Sequence, residues 1–582
     1  MYKKLLTAVL MIFFHHIAKA QNEFITIWKP SNIQTQSYQG IPVNSTATQI
    51  WLPTEGSNYT ISWEEIGYPA HSGLLSGTTS AYQILIDFGT PLNPTPANAT
   101  YRVKISNGNG TFYRIRFRDP ALFPNGNGII GDVHKILSVQ QWGQTKWHTM
   151  FHAFSGCKFL DITATDLPQL SDVTDLSFMF AGCETMAGNS SINNWNISSI
   201  TLLTAMFSGC FVFNQPLENW DTSNVVSMGA VFSMARNFNQ PLAAWNTSNV
   251  ETMTAMFNNA REFNQPIGNW DLSNNLDCEF MFSHAWKFNQ PIGNWNTSKV
   301  IEMNNMFTSA KAFNQDISGW DTSKVITMQG MFYNAEHFNQ PIGNWNTAKV
   351  IQMQNMFSQA KAFNQDIGNW NTSQAQYMNS MFSDATAFDQ DLRNWNTSQV
   401  NSMENMFSGA TRFNQSLGNW NLGSLYSAFG MFAQSGLNCQ NYDSTLLGWS
   451  QNPSTPGNIH LGNAAPMVYS HPAAVAARNQ LINNKNWTIS GDTYNGQCES
   501  FLATADLNTD DETGIYPNPA SDFITVRNAE VKSFMLYDTS GRLILKGSLN
   551  EGKIDIRNLA SGNYFLQLFS GNKVRNHKFI KR

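Results

Sequence analysis

The chain has 582 residues and a net charge of −5, and charged residues make up only 13% of it. This length exceeds that of one compact domain, and the charge balance excludes a broad basic face for nucleic acid. Six cysteines are few for an exported chain of this size, so disulfides are not its main scaffold.

The chain starts with two lysines, a short apolar run and then small residues, including Ala18 and Ala20. This order is typical of a secretory signal peptide, so we predict a signal over 1–20, with Gln21 as the new first residue after cleavage. No other stretch approaches the ~20 apolar residues that a membrane span needs. The mature chain is therefore predicted to have no transmembrane segment.

Residues 21–135 contain short runs of alternating aromatic and β-branched residues, separated by Gly, Pro and Asn. Such runs are typical of β-strands joined by turns. We expect a β-rich N-terminal domain with a β-sandwich-like fold, with strands at places such as 24–28, 59–63 and 101–106.

Tryptophan then recurs at a fixed spacing, and every step from Trp195 to Trp420 is 25 residues. A fixed period of this length is typical of stacked repeats, in which each unit contacts mainly its neighbours. We predict a solenoid of about twelve repeats over 136–436. Positions counted from the tryptophan of each unit form columns that run along the repeats.

Apolar residues within a unit have the spacing of one helix face. In one unit they are Val250, Met253, Met256, Phe257 and Ala260. The pattern predicts a short helix or helical turn over 249–260 and a short parallel strand over 263–270. Proline four residues before the tryptophan limits that strand, since proline cannot donate to a ladder.

The tryptophan column has two interpretations. A row of rings suits stacking against sugars, and it equally suits filling the core of each unit if every indole N–H has a partner. The core is the favoured interpretation, and the candidate ligand row is Trp220, Trp245, Trp270, Trp295, Trp320, Trp345, Trp370 and Trp395. An Asn-Gln column pair, from 214–215 to 414–415, is either an amide ladder between units or a polar ligand row, and its repetition favours the ladder.

Cysteines fall in two places. Three occupy a position that is alanine in later units, namely Cys157, Cys183 and Cys210. Small buried slots are the favoured interpretation, and a disulfide between neighbouring units is the alternative. Cys439 and Cys498 flank the segment after the repeats and are either paired with each other or free.

One unit departs from the pattern, because Asn275 and Cys278 replace the usual valine and methionine. We expect this unit to be locally deformed or shifted onto Leu276. Drift within a long array and a local site are the two explanations, and drift is favoured.

Three further segments follow the repeats. Residues 437–500 contain a helix candidate and a closing strand, which would cover the last open unit as a cap. Residues 501–514 are polar and acidic and are predicted to be a linker. Residues 515–582 alternate apolar residues with glycine turns, which indicates a small antiparallel β-sandwich.

The repeat pattern Val-x-x-Met-x-x-Met-Phe-x-x-Ala-x-x-Phe-Asn-Gln-x-Ile-x-x-Trp-Asn-Thr-Ser resembles the BspA-like leucine-rich-repeat surface proteins, in their Met-Phe/Asn-Trp variant. The resemblance implies a leucine-rich-repeat-like solenoid, with a short helix or turn plus a short parallel strand in each 25-residue coil. That solenoid would be flanked by the two β domains. The resemblance also implies an adhesin-like role on a bacterial surface, and it brings no catalytic residues.

The C-terminal segment resembles the type IX secretion sorting domain. Its opening run, Ile-Tyr-Pro-Asn-Pro-Ala-Ser-Asp at 515–522, is specific. The motif residues are Tyr516, Pro517, Asn518, Pro519, Gly541, Arg542, Gly562, Lys578 and Lys581. The resemblance implies the type IX secretion machinery as a partner, export through the periplasm, removal of the domain, and attachment to the outer-membrane cell surface or release.

No phosphate-loop, zinc-protease or serine-nucleophile motif occurs in the sequence, so we predict no enzyme, no metal and no cofactor. The predicted function is a secreted cell-surface protein that binds an unknown protein or glycan through the solenoid face, by many weak contacts. The alternatives are a carbohydrate-binding protein that uses the tryptophan row or the N-terminal domain, and a structural surface-layer component.

Overall fold

The computed structural model describes residues 22–33, 44–120 and 128–496, and also 515–582 apart from 517, 527–530, 540, 550–551 and 571–572. The described residues form two compact units, one before residue 500 and one after it. Strands in several small sheets dominate, and helices are few. The predicted signal peptide, with Ala18, Ala20 and Gln21, and the predicted linker 501–514 lie outside the described residues.

The N-terminal part of the first unit contains a seven-stranded sheet and a two-stranded sheet. The strands are β1 (Phe24–Trp28), β2 (Gln49–Leu52), β3 (Thr54–Glu65), β4 (Tyr68–Ser80), β5 (Ile84–Asp87), β6 (Tyr101–Ser106), β7 (Thr111–Ile115), β8 (Ile136–Gln141) and β9 (Asp161–Ile162). The larger sheet has the order β4-β3-β6-β1-β8-β9, with β7 also paired to β3, and β2 pairs with β5. Alternate residues of β6 are buried because successive side chains point to opposite faces.

The larger sheet leads directly into the repeats. Strands β8 and β9 are parallel, and beyond them equivalent positions of successive units are joined by isolated parallel bridges, such as Thr252 to Asp277 and Asp277 to Glu302. The tryptophan rings also follow one another, with centroids 6.1 Å apart for Trp220 and Trp245. We refer to the bridged units over 196–436 as the repeat stack.

The predicted fold class is wrong. Within 196–436, all of which the structure describes, no helix forms over 249–260 or its equivalents, and no strand forms over 263–270. Each unit consists of turns and one isolated bridge instead. The leucine-rich-repeat-like solenoid, with a helix and a strand in each coil, is therefore not the architecture of this chain.

The helix is absent because alternate N–H groups donate to the next unit. Ala255 donates to the carbonyl of Glu279 at 2.7 Å, whereas Met256 donates within its own turn to Met253 at 3.1 Å. The alternation needs left-handed backbone, which occurs at Ala255 (φ 55°) and Asn259 (φ 60°). The predicted stripe of residues is buried, so helical spacing marked the buried side correctly but not the hydrogen-bond pattern.

The strand is absent because its backbone groups have other partners. The N–H of Asn264 donates to the side-chain oxygen of Asn239 at 2.9 Å, and that of Trp270 donates to Ile267 within a turn at 3.1 Å. Pro266 has no N–H to offer. This segment therefore turns around the core instead of pairing with its copy in the next unit.

Two helices and four short strands follow the last repeat, namely α1 (Cys439–Gln451), β10 (His460–Asn463), β11 (Val468–Tyr469), α2 (Pro472–Lys485), β12 (Thr488–Ser490) and β13 (Thr493–Tyr494). Strand β10 pairs with β12, and β11 with β13, both in parallel. Trp449 of α1 stacks on Phe432 with ring centroids 5.9 Å apart. Its indole N–H donates to the carbonyl of Leu417 at 2.9 Å, so α1 lies against the final unit.

The second compact unit has two antiparallel sheets, of orders β14-β15-β18 and β17-β16-β19-β20. Its strands are β14 (Ile515–Tyr516), β15 (Phe523–Val526), β16 (Ser533–Tyr537), β17 (Leu543–Ser548), β18 (Lys553–Asp555), β19 (Gly562–Ser570) and β20 (Lys573–Lys581). It has a hydrophobic core of its own, in which Ile524, Leu536 and Leu566 are fully buried.

Candidate binding faces of the repeat stack

The tryptophan column lies in the core. From Trp220 to Trp395 each side chain is only 2–4% exposed. Each indole N–H donates to a carbonyl of the preceding unit, as Trp320 does to Ile292 at 3.0 Å. A row in this state presents no ring face to a sugar, so the carbohydrate alternative loses the support that an exposed row would have given it.

The side chains of the Asn-Gln columns form hydrogen bonds between neighbouring units. The side-chain oxygen of Asn314 accepts the backbone N–H of Asn339 and the amide of Gln340, both at 2.9 Å. Asp389 replaces asparagine once, and its carboxylate accepts the same two bonds from Asn414 and Gln415 at 2.8 Å. Only the oxygen is used, which explains why aspartate fits. The expected amide ladder is confirmed, in a form that bonds side chain to backbone as well as to side chain.

The repeat cysteines are free and buried, as the favoured interpretation of small slots predicts. Cys183 and Cys210 donate to backbone carbonyls of the preceding unit at 3.3 and 3.2 Å. Burial raises the pKa of each thiol, so the thiolate form is disfavoured. Cys439 is disulfide-bonded, whereas Cys498 lies outside the described residues. In the described part of the chain no group of three His, Cys, Asp or Glu residues is arranged to hold a metal ion.

The unit that contains Asn275 keeps the register of its neighbours. Asn275 and Cys278 are fully buried in the valine and methionine columns, and Leu276 donates to the carbonyl of Glu251 at 2.9 Å, as its equivalents do. The expected deformation is therefore wrong. The thiol of Cys278 donates to the side-chain oxygen of Asn275 at 3.0 Å, while the amide nitrogen of Asn275 has no partner.

The exposed columns differ from unit to unit, unlike the buried ones. The fourth position after the tryptophan is lysine in three successive units, and the sixth position is isoleucine in the same three. These residues are Lys299, Lys324, Lys349, Ile301, Ile326 and Ile351, which we call the lysine–isoleucine patch. The lysines are exposed, Ile326 is 41% exposed and the other two isoleucines are half-buried. This patch was not predicted from the sequence, although the recurring Lys-Val-Ile is its signal.

A second exposed column lies sixteen residues after each tryptophan and combines cations with aromatic rings. The guanidinium of Arg236 lies 4.3 Å from the ring centroid of Phe211, and that of Arg261 lies 4.2 Å from that of Trp286. Trp286 is 40% exposed, but one face of its ring is covered by Arg261. The charges further along this column are partly neutralised, since Lys311 pairs with Glu336 at 3.0 Å.

His152 lies at the start of the repeats, with its ring 4.6 Å from that of Phe178. Burial, followed by the charges of Arg118 and Arg116, lowers the pKa of His152 to about 4. The ring is therefore neutral at pH 7 and makes no charge-based contact with a ligand there. Its role at this place is packing.

The sorting-motif residues lie mainly at turns and edges of the second compact unit. Tyr516 is in β14, Gly562 opens β19, and Lys578 and Lys581 are in β20, whereas Pro517 lies outside the described residues. The side chain of Asn518 accepts the N–H of Ile580 and donates to the carbonyl of Lys578, both at 2.9 Å. Pro519 follows Asn518. Gly541 has a φ of 81°, and Arg542 donates to Asp538 at 3.1 Å, so these two residues form a tight turn.

Comparison with known families bears on both compact units. Residues 174–289, 262–362 and 340–445 match the family described as Mycoplasma protein of unknown function, DUF285. Residues 514–582 match the secretion system C-terminal sorting domain. The chain is a type IX secretion substrate. It is exported to the cell surface or beyond it, and it carries repeat domains there. No curated protein matches the chain.

The sequence also predicts that the mature chain has no transmembrane segment. Among the residues described by the structure, no helix combines the length and the apolar character that crossing a bilayer requires.

Proposed function

We propose that this exported repeat protein is a non-enzymatic, adhesin-like surface protein that binds a macromolecular partner through exposed columns of the repeat stack. The observation that carries the proposal is the contrast between columns. Buried columns hold the same residue types in nearly every unit, whereas the exposed fourth and sixth positions change along the stack. We also propose that the repeats are related to the BspA-like surface proteins, on the basis of the Met-Phe/Asn-Trp pattern.

Columns suit binding by many weak contacts. Equivalent residues of successive units are joined by a backbone hydrogen bond, as the N–H of Ile351 donates to the carbonyl of Ile326 at 2.8 Å. Their side chains therefore lie next to each other along the stack. A partner that extends along the stack meets the same kind of contact several times, and the contacts add because one encounter brings all of them together. A rigid row also needs little ordering when the partner binds, which lowers the entropy cost of association.

An array of glycans and extracellular-matrix proteins, probed with the purified exported chain, tests this proposal. We expect binding to one macromolecular class, weakened when exposed side chains of the stack are replaced by those of neighbouring units. Retention of binding only to short sugars, with no effect of such replacements, would favour the carbohydrate alternative. Binding to nothing together with self-assembly into sheets would favour the surface-layer alternative.

A further inference from the structure

The lysine–isoleucine pair occurs together in three successive units. At the lysine position the preceding units carry Asn224, Asn249 and Asn274, and the following units carry Gln374 and Gln399. At the isoleucine position the preceding units carry Val226, Glu251 and Leu276, and the following units carry Gln376, Asn401 and Tyr426. The lysine row is therefore confined to three units, whereas the apolar row begins one unit earlier, at Leu276, which is 43% exposed, and both rows end with the unit that contains Ile351.

The three lysines are available to an incoming charge. None of them forms an ion pair within the part of the chain that the structure describes. Lys299 donates to the side chain of Asn274 at 2.7 Å, which is a neutral partner. Hydrogen bonds from Ser323 lower the pKa of Asp321, and the charge of Lys324 lowers it more weakly.

The isoleucines form a rigid row without a slot between them. Ile326 donates to the carbonyl of Ile301 at 3.0 Å, and Ile351 donates to that of Ile326 at 2.8 Å. A buried valine separates each lysine from its isoleucine, as Val325 does, so both neighbours point away from the core. Because the backbones are bonded directly, no gap exists between units for an acyl chain, and the row suits a partner that lies across its surface.

The spacing of the patch selects the secondary structure of that partner. Neighbouring units are about 4.8 Å apart where their backbones are bonded, as they are along the isoleucine row. An α-helix rises about 5.4 Å per turn, so one residue per turn stays in register over three units. Alternate residues of an extended strand are about 6.7 Å apart, and a strand drifts out of register by the third unit.

We propose that the lysine–isoleucine patch binds one amphipathic α-helix of a partner protein, laid along the stack with one apolar residue per turn on each isoleucine. A row of Glu or Asp along one flank of that helix pairs with the three lysines. Lysines occur on only one side of the isoleucine row, and this fixes the rotation of the helix. The inference rests on the proposed function, and it adds which surface binds and which class of partner is bound.

A synthetic 18-residue probe tests the inference. It carries leucines three and four residues apart, glutamates along one flank of the leucine stripe, and alanine and glutamine elsewhere, with a fluorescent label. Binding to the full exported chain is measured by fluorescence anisotropy. A control peptide has the same composition, with the glutamates moved to the face opposite the leucines.

The variants copy residues that the stack already accepts at the same columns. K299N/K324N/K349N copies Asn274, and I301Q/I326Q/I351Q copies Gln376, so the fold is expected to tolerate both. The matched control K311T/K361T removes two lysines at the sixteenth position, where later units carry Thr386 and Thr411. Near-ultraviolet circular dichroism checks that every variant retains the tryptophan stack.

We expect each patch variant to weaken binding of the probe by about tenfold or more, since three exposed pairs contribute modestly but together. The control variant should bind as the unaltered chain does, and binding should weaken as salt rises from 50 to 300 mM. No binding of the probe, equal binding of the control peptide, or no effect of the patch variants would each overturn the inference. So would a dimer of the chain that is lost in the lysine variant, because a second copy would then be the occupant.

The array separates this inference from the proposed function. If the array partner binds the patch variants as well as the unaltered chain, the patch is refuted and the proposed function stands. If the probe binds as expected and the array shows no macromolecular partner, the proposed function fails and the patch remains a binding site.

Discussion

Replacing Asn275 with valine is expected to stabilise the repeat stack. Asn275 is fully buried, and its amide nitrogen has no hydrogen-bond partner. A buried polar group left without a partner costs about 1–3 kcal/mol, and only a weak bond from the Cys278 thiol at 3.0 Å offsets this cost. Valine occupies the same column in neighbouring units, as Val250 and Val300 do, so the side chain fits. We expect N275V to raise the free energy of local unfolding by about 1–3 kcal/mol.

Hydrogen exchange is the suitable assay, because a repeat array does not unfold as one two-state unit. The amide of Phe282, which donates to Met306 at 2.9 Å, reports on the affected unit. A stabilisation of about 1–3 kcal/mol slows exchange by about 5- to 150-fold wherever exchange requires local unfolding. The mirror variant V300N should accelerate exchange in its own unit, since the facing Met303 has no hydrogen to donate.

A double-mutant cycle separates the two substitutions of this unit. C278M alone removes the thiol that donates to Asn275, so we expect it to destabilise the stack, whereas C278M in the N275V background restores the usual core pair and should not. Unchanged or faster exchange in N275V would refute the reasoning. It would show that the amide nitrogen of Asn275 is hydrogen-bonded to water and that Asn275 and Cys278 together do not destabilise the core.

Three further predictions concern other parts of the chain. N314D should change amide hydrogen exchange in its unit little, because only the side-chain oxygen accepts bonds there, as at Asp389, whereas N314L loses two bonds worth about 0.5–1.5 kcal/mol each. His152 has a pKa of about 4 in the fold against an ordinary 6.5, so the unfolded chain binds the extra proton as pH falls from 6.5 to 4. Stability should drop by up to about 3 kcal/mol across that window. H152A copies Ala205, Ala230 and Ala255, which stand at the same column, and it should flatten the drop in thermal melts at pH 7 and 4.5. Deletion of 512–582 should retain the protein in the periplasm, and surface labelling of that truncation at the normal level would contradict the sorting role.

The sequence predicted which side chains are buried but not how the backbone is bonded. Val250, Met253 and Phe257 were placed on one buried face by their spacing, and all three are buried. The same spacing occurs in a helix, but here the N–H of Phe257 donates to Met281 of the next unit at 2.9 Å. The spacing of apolar residues indicates which side chains face the core. It does not indicate whether the carbonyl that accepts a backbone N–H lies four residues earlier in the chain or in the next unit.

The candidate site was less predictable for a related reason. A search for residues shared by every unit finds the core, because packing against identical neighbours is what makes a column uniform. Trp320 was therefore prominent in the sequence, and it is buried. Lys324 and Ile326 belong to columns that are shared by only three units, and a search for uniformity passes over them.

Binding by a stack of this kind is restricted to side chains that neighbouring units do not already use. The Asn-Gln columns bond along the stack, and so does the threonine column, where Thr247 donates to the carbonyl of Asp271 at 2.9 Å. A ligand that competed for these groups would have to break contacts that hold the units together, at a cost comparable to the bonds it gained. At the fourth position after the tryptophan, Asn249 donates to the carbonyl of Ser223 at 2.7 Å, but lysine or glutamine replaces asparagine there in later units. At the sixth position it is the backbone that bonds the patch units to each other. Side chains at both positions can therefore change without loss of the fold. Selection for a partner can therefore act on these columns one unit at a time, and a run of three lysines beside three isoleucines is the form that such selection would leave.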